Sequence, residues 1–130
     1  IILSRLLDSI HLIKLNHAWK KDDLLFFLEA KASLMVSWLN NIIYDNGNIP
    51  MVNDATFNIA PDSNKIFSYA NKLGINSQNI PLSDSGYRKI KLNNYELLLD
   101  IGNVGPSYQP GHAHSDTFNF ELIKSCPCRR

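Results

Sequence analysis

The sequence predicts an α+β protein in which helices come first and strands follow. Two observations carry this. Apolar residues recur at three- and four-residue spacing through roughly the first 75 positions, then alternate with polar ones in the last third. Between the two patterns, near residues 76–86, the composition changes, which divides the chain into a helical segment 1–82 and a β segment 83–130.

Each element has its own local reason. Ile2, Leu6, Ile10 and Ile13, widened by Leu3 and Leu7, form the stripe of a first helix. Asp22-Asp23 suit the start of a second, longer helix, because carboxylates there face the positive end of the helix dipole. Leu24, Phe27, Leu28, Leu34, Met35, Trp38, Leu39 and Ile42 then cover so wide an arc that this helix is expected to be buried on more than one side, with Trp38 in the core. Two such helices cannot enclose their own apolar surface and read as members of a larger helical array. Asn46-Gly47, both tolerant of the left-handed conformation, are expected to stop the second helix. Residues 47–62 contain two prolines and several turn formers and read as a structured loop.

Asp62 or Ser63 can cap a third helix that buries Ile66, Phe67, Ala70 and Leu73. Gly74 ends it, with Ile75 placed for the apolar contact of a Schellman cap. Tyr87 to Leu92 reads as a strand, Asn93-Asn94 as a tight turn and Tyr95 to Ile101 as the returning strand. After a Gly- and Pro-rich loop, Thr117 to Leu122 alternates, with Phe118, Phe120 and Leu122 on one face.

Composition narrows the function classes. Hydrophobic residues make up 45% and charged residues 19%, a globular balance that argues against intrinsic disorder. Lys plus Arg number 13 against 12 acidic residues, a net charge of +1, so no global basic field points to nucleic acid. No apolar run approaches the roughly 20 residues needed to span a bilayer. The chain opens IILSRLLDSI, without Met and without a signal-peptide layout, and reads as an internal fragment or processed product. Its two cysteines, Cys126 and Cys128, sit together near the end and cannot define a disulfide-rich scaffold.

The densest chemistry lies in GPSYQPGHAHSD, residues 105–116. In an extended chain, residues two apart share a face at roughly 6.6 Å, so His112 and His114 can present two imidazoles to one cleft. They suit metal ligation, proton transfer or one role each. Pro106, Pro110 and the flanking glycines restrict the backbone before them. Asp116 can hold an imidazole tautomer as an outer acceptor. A surface turn that happens to carry two histidines is the other reading of the same residues.

The longer block GPSYQPGHAHSDTFNFEL resembles the heparinase II/III-like polysaccharide lyases. YDNGNIPMVNDATFNIAP, YANKLGI and SGYRKIKLNNYELLLDIGNVGP resemble the segments that precede it, so the similarity covers about residues 40–122. The resemblance implies the C-terminal helices of an (α/α) toroid followed by the first strands of an antiparallel β-sandwich. It implies β-elimination on an acidic, uronate-containing polysaccharide such as a glycosaminoglycan or alginate. In that chemistry the uronate carboxylate is neutralised, the adjacent ring proton is abstracted and the leaving oxygen is protonated.

Residue by residue, the resemblance makes His112 the catalytic histidine facing substrate and His114 a ligand of a structural zinc. The family's catalytic Tyr, its Asn or His partner and the other zinc ligands match nothing in this sequence, and Tyr44, Tyr69 and Asn53 do not fit those motifs. The resemblance therefore implies a fragment without lyase activity of its own, and a periplasmic or cell-envelope location.

Two alternatives use the same residues differently. A non-catalytic remnant could still bind acidic glycan. A small zinc-binding or interaction domain could instead use His112, His114, Cys126 and Cys128, four ligands of suitable type. The remaining features have plainer readings. His11 and His17 are exposed or packed helix histidines, and Lys20 to Asp23 is a solvated helix entrance. Trp19 and Trp38 could in principle form a sugar platform. Lys89 and Lys91 share one strand face, which either attracts an acidic glycan or simply meets solvent. Asn53-Asp54 suit a turn-stabilising role.

Overall fold

The computed structural model describes residues 1–16, 18, 21–103, 108 and 118–124. Among them are three helices, α1 (Ile2–Leu15), α2 (Asp22–Ile42) and α3 (Ser63–Lys72), then a 3-10 turn at Ser83–Ser85. Three strands follow, β1 (Tyr87–Leu92), β2 (Tyr95–Asp100) and β3 (Asn119–Lys124), in a sheet of order β1-β2-β3. Both strand pairs are antiparallel. The fold class is α+β, as expected. The chain divides into two compact units, one of residues 1–40 with 58–80 and the other of 41–57 with 81–130.

The helical unit is built on the stripes read from the sequence. Leu7 and Ile10 of α1, Ala32 and Val36 of α2, Ile66 and Ala70 of α3, and Ile75 form its buried cluster. Leu3, Leu6, Leu25, Leu28, Leu39, Phe67 and Leu73 pack around it. Asp62 caps α3, its Oδ1 accepting the Lys65 N–H at 2.9 Å, and this bond is the main cause holding its carboxyl below the usual range. At the other end, Gly74 adopts φ +78°. Ile75 N–H then returns to the Ala70 carbonyl at 2.9 Å and Gly74 N–H to Asn71 at 3.0 Å. These two bonds make the expected Schellman cap.

Two features of α2 differ from expectation. The helix stops at Ile42, before Asn46-Gly47, because a local turn competes with it. Gly47 N–H bonds the Tyr44 carbonyl at 2.8 Å and Tyr44 N–H bonds that of Asn48 at 3.0 Å. The wide apolar arc is also covered only in part. Leu24, Phe26, Phe27 and Leu34 are exposed, and Trp38 is 37% exposed instead of lying in the core. Burying one stripe of α2 in the cluster leaves the rest of its arc to solvent.

In the sheet, the Asn93-Asn94 turn closes on Leu92 and Tyr95 as partners, with Asn93 at φ +49°. β3 starts at Asn119, two residues later than the alternation suggested, because Phe118 takes φ +61° and turns the chain into the strand. The register separates two faces. One holds Arg88-Leu99-Phe120, Ile90-Leu97-Leu122 and Leu92-Tyr95-Lys124, the other Lys89-Leu98-Glu121 and Lys91-Glu96-Ile123. The more charged face is the covered one, with Leu98 and Glu96 buried. On the apolar face Ile90, Leu92, Tyr95, Phe120 and Leu122 are exposed.

Candidate functional site

Asp100 at the end of β2 and Asn119 at the start of β3 are register partners. The ends of the stretch carrying the two histidines are therefore ladder neighbours, about 5 Å apart. His112, His114 and Asp116, like Cys126, Cys128, His17 and Trp19, lie outside the described residues. The described residues form the platform on either side of that stretch, at Asp100 and Asn119.

That platform is tightly built where the stretch leaves it. Tyr87, the first residue of β1, partners Asp100. Asp100 Oδ1 accepts the Gly102 N–H at 3.1 Å, and Ile101 N–H bonds the Gly86 carbonyl at 3.0 Å. Gly86 has φ +82°, and a Cβ placed there would lie 2.4 Å from the Gly102 Cα. Only a glycine at 86 allows the two backbones to pass so closely. Asn53, itself at φ +50°, donates from Nδ2 to the Tyr87 hydroxyl at 2.9 Å.

Residues 43–53 are fastened across the charged face of all three strands. On β1, Lys89 donates to the Ile43 carbonyl, lies 5.4 Å from the centre of the Tyr44 ring and pairs with Glu96 at 2.9 Å. Lys91 pairs with Asp45, a bond that holds its ammonium above the ordinary lysine value. On β2, both Glu96 carboxylate oxygens accept the Asp45 N–H, at 3.0 and 3.2 Å. On β3, Glu121 accepts the Tyr44 hydroxyl at 2.7 Å and the Met51 N–H at 2.6 Å.

The chemistry of this network is structural. Burial first, then the Glu121 hydrogen bond and the charges of Glu121 and Glu96, push the Tyr44 phenol well above its ordinary value. Tyr44 thus keeps its proton and acts as a donor, not as a base. Among the described residues no buried side-chain nitrogen or oxygen lacks a partner. The two strand lysines are committed to internal carboxylates, and the Lys89 side chain is only 17% exposed, so neither is an uncompensated charge for a glycan. Glu96 and Glu121 escaped the sequence reading. The signal available was a carboxylate set inside each apolar strand run, YELLLD and FNFELI.

Among the described residues no group of three His, Cys, Asp or Glu side chains can hold a metal ion. No helix among them is long and apolar enough to cross a membrane. His11 is a helix histidine, exposed on α1 and in contact with Tyr69.

No curated protein and no solved structure matches the chain. The family model described as heparinase II/III-like, C-terminal, matches residues 75–124, a segment that contains the whole three-stranded sheet and both histidines of the Gly-His-Ala-His block. Over that segment the chain is similar to the heparinase II/III-like family.

Proposed function

We propose that residues 75–124 open the β-domain of a polysaccharide lyase that cleaves an acidic, uronate-containing polymer by β-elimination. The observation that carries this reading is the family match over the segment bearing His112 and His114. In this reading His112 meets the substrate and assists carboxylate neutralisation or proton transfer. A neutral imidazole accepts a proton and an imidazolium donates one, so a histidine suits either step. The glycine corner fixes Asp100 and Gly102 and the residue 43–53 network fixes Glu121 of β3, the described positions on either side of the His112 stretch.

The toroid and sandwich architectures belong to the same proposal. The uncovered apolar arc of α2 and the uncovered apolar face of the sheet both support it, because such faces are normally buried against a further layer. His114 supplies one of the four ligands that structural zinc ordinarily takes. In this reading the zinc is structural, with His114 as one of its ligands. A periplasmic or cell-envelope setting accompanies the family reading.

The test is binding and turnover on alginate, heparan sulfate and chondroitin sulfate oligosaccharides. Binding to an acidic glycan that is lost in His112→Ala supports the proposal, whereas no binding to any of them by the folded chain sinks it. The 130-residue chain is expected to generate no unsaturated-uronate absorbance, because His112 is its one match to the family's catalytic set. Absorbance growing with purified chain would overturn that expectation.

A further inference from the structure

The helical unit contains a chain of three polar side chains that the lyase reading does not use. Asp8 and His11 lie one turn apart on α1, and Tyr69 of α3 reaches both. The Tyr69 hydroxyl donates to Asp8 Oδ1 at 3.1 Å. His11 Nδ1 lies 3.2 Å from that same hydroxyl oxygen, and the two rings meet edge-on with planes at 77°. Asp8 Oδ2 is engaged by Arg5 at 3.3 Å.

Counting hydrogens fixes the imidazole. A phenol has one proton to donate, and an ionised carboxylate only accepts. Burial and the Asp8 carboxylate hold the Tyr69 phenol above its ordinary value, so this proton stays on the oxygen. With it committed to Asp8, the phenol oxygen meets His11 only as an acceptor, and the shared hydrogen must belong to Nδ1. In a neutral imidazole the other nitrogen then carries the lone pair. We infer that Tyr69 and Asp8 fix the neutral His11 imidazole in one tautomer, with its hydrogen on Nδ1 and its lone pair on Nε2. His11 is an exposed residue of α1. This arrangement is independent of His112 and of the lyase reading.

Imidazole nitrogen NMR on the full 130-residue chain tests it. Neutral His11 is expected to carry its hydrogen on Nδ1. Folded Tyr69→Phe is expected to lose this preference, while Asp8→Asn retains it because the amide oxygen still accepts from the phenol. A hydrogen on Nε2 in the wild-type protein would overturn the inference, with no variant needed. An unchanged Nδ1–H form in Tyr69→Phe would remove Tyr69 from it.

Discussion

Glu121 of β3 accepts the hydroxyl of Tyr44, 77 positions earlier in the chain, at 2.7 Å. The same carboxylate takes the Met51 N–H at 2.6 Å, so one side chain closes both ends of an eight-residue stretch. Tyr44→Phe keeps the ring and removes one charge-assisted bond. It is expected to destabilise the strand-containing unit by about 1–2 kcal/mol. Denaturant unfolding measures the loss, and a midpoint equal to that of wild type would contradict the assignment.

The raised Tyr44 phenol also sets an alkaline limit. Its folded-state value lies above that of an unfolded tyrosine, so its stabilisation is complete below about pH 10 and is lost as pH climbs towards the folded value. Tyrosinate absorbance during alkaline titration should show a late step that Tyr44→Phe abolishes. A wild-type curve whose tyrosines all ionise together near the ordinary value would refute this.

Lys89 and Glu96 form a pair with Glu96 1% exposed. Removing one partner leaves a buried charge, so Lys89→Met is expected to cost about 3–5 kcal/mol. Lys89→Met combined with Glu96→Leu should recover much of that loss, because an apolar pair needs no compensation. A double-mutant cycle with additive effects would show that the charges do not couple.

Gly86→Ala should be among the most damaging single-atom additions near the histidine stretch. Its Cβ meets the Gly102 backbone at 2.4 Å and its φ of +82° strains any L-residue, with the strain alone costing of order 1–3 kcal/mol. Amide chemical shifts should move at Gly102 and along β1 and β2. A variant as stable as wild type with an unchanged β1–β2 spectrum would exclude the close glycine crossing.

Leu122→Lys places a charge on the uncovered apolar face of the sheet, where Leu122 is 58% exposed. Unfolding stability is expected to stay within about 0.5 kcal/mol of wild type. Light scattering at high concentration should fall, since the exposed patch is reduced. A large loss of stability would mean that this face is covered in solution.

The features legible in the sequence are those decided by neighbours a few residues apart. The α3 cap needs Asp62 and Lys65, the Schellman turn needs Gly74 and Ile75 near Ala70, and the hairpin needs two short-side-chain residues between alternating strands. The histidine block was legible for the same reason, being one contiguous run with a specific residue order. The network supporting its platform was not, because Tyr44, Asp45, Lys89, Glu96 and Glu121 come from segments that meet only in the folded chain.

By itself, then, the sequence determined the kinds of element, their order, several of their ends and the family that the β segment resembles. Only the tertiary structure decided which sheet face is covered. Period-two alternation divides a strand into two faces but does not say which one meets the rest of the chain. Hydrophobicity alone would bury Ile90, Phe120 and Leu122. Paired charges can be buried when every acceptor and donor is met, and residues 43–53 meet those of Lys89, Glu96 and Glu121 from a distance no sequence window spans.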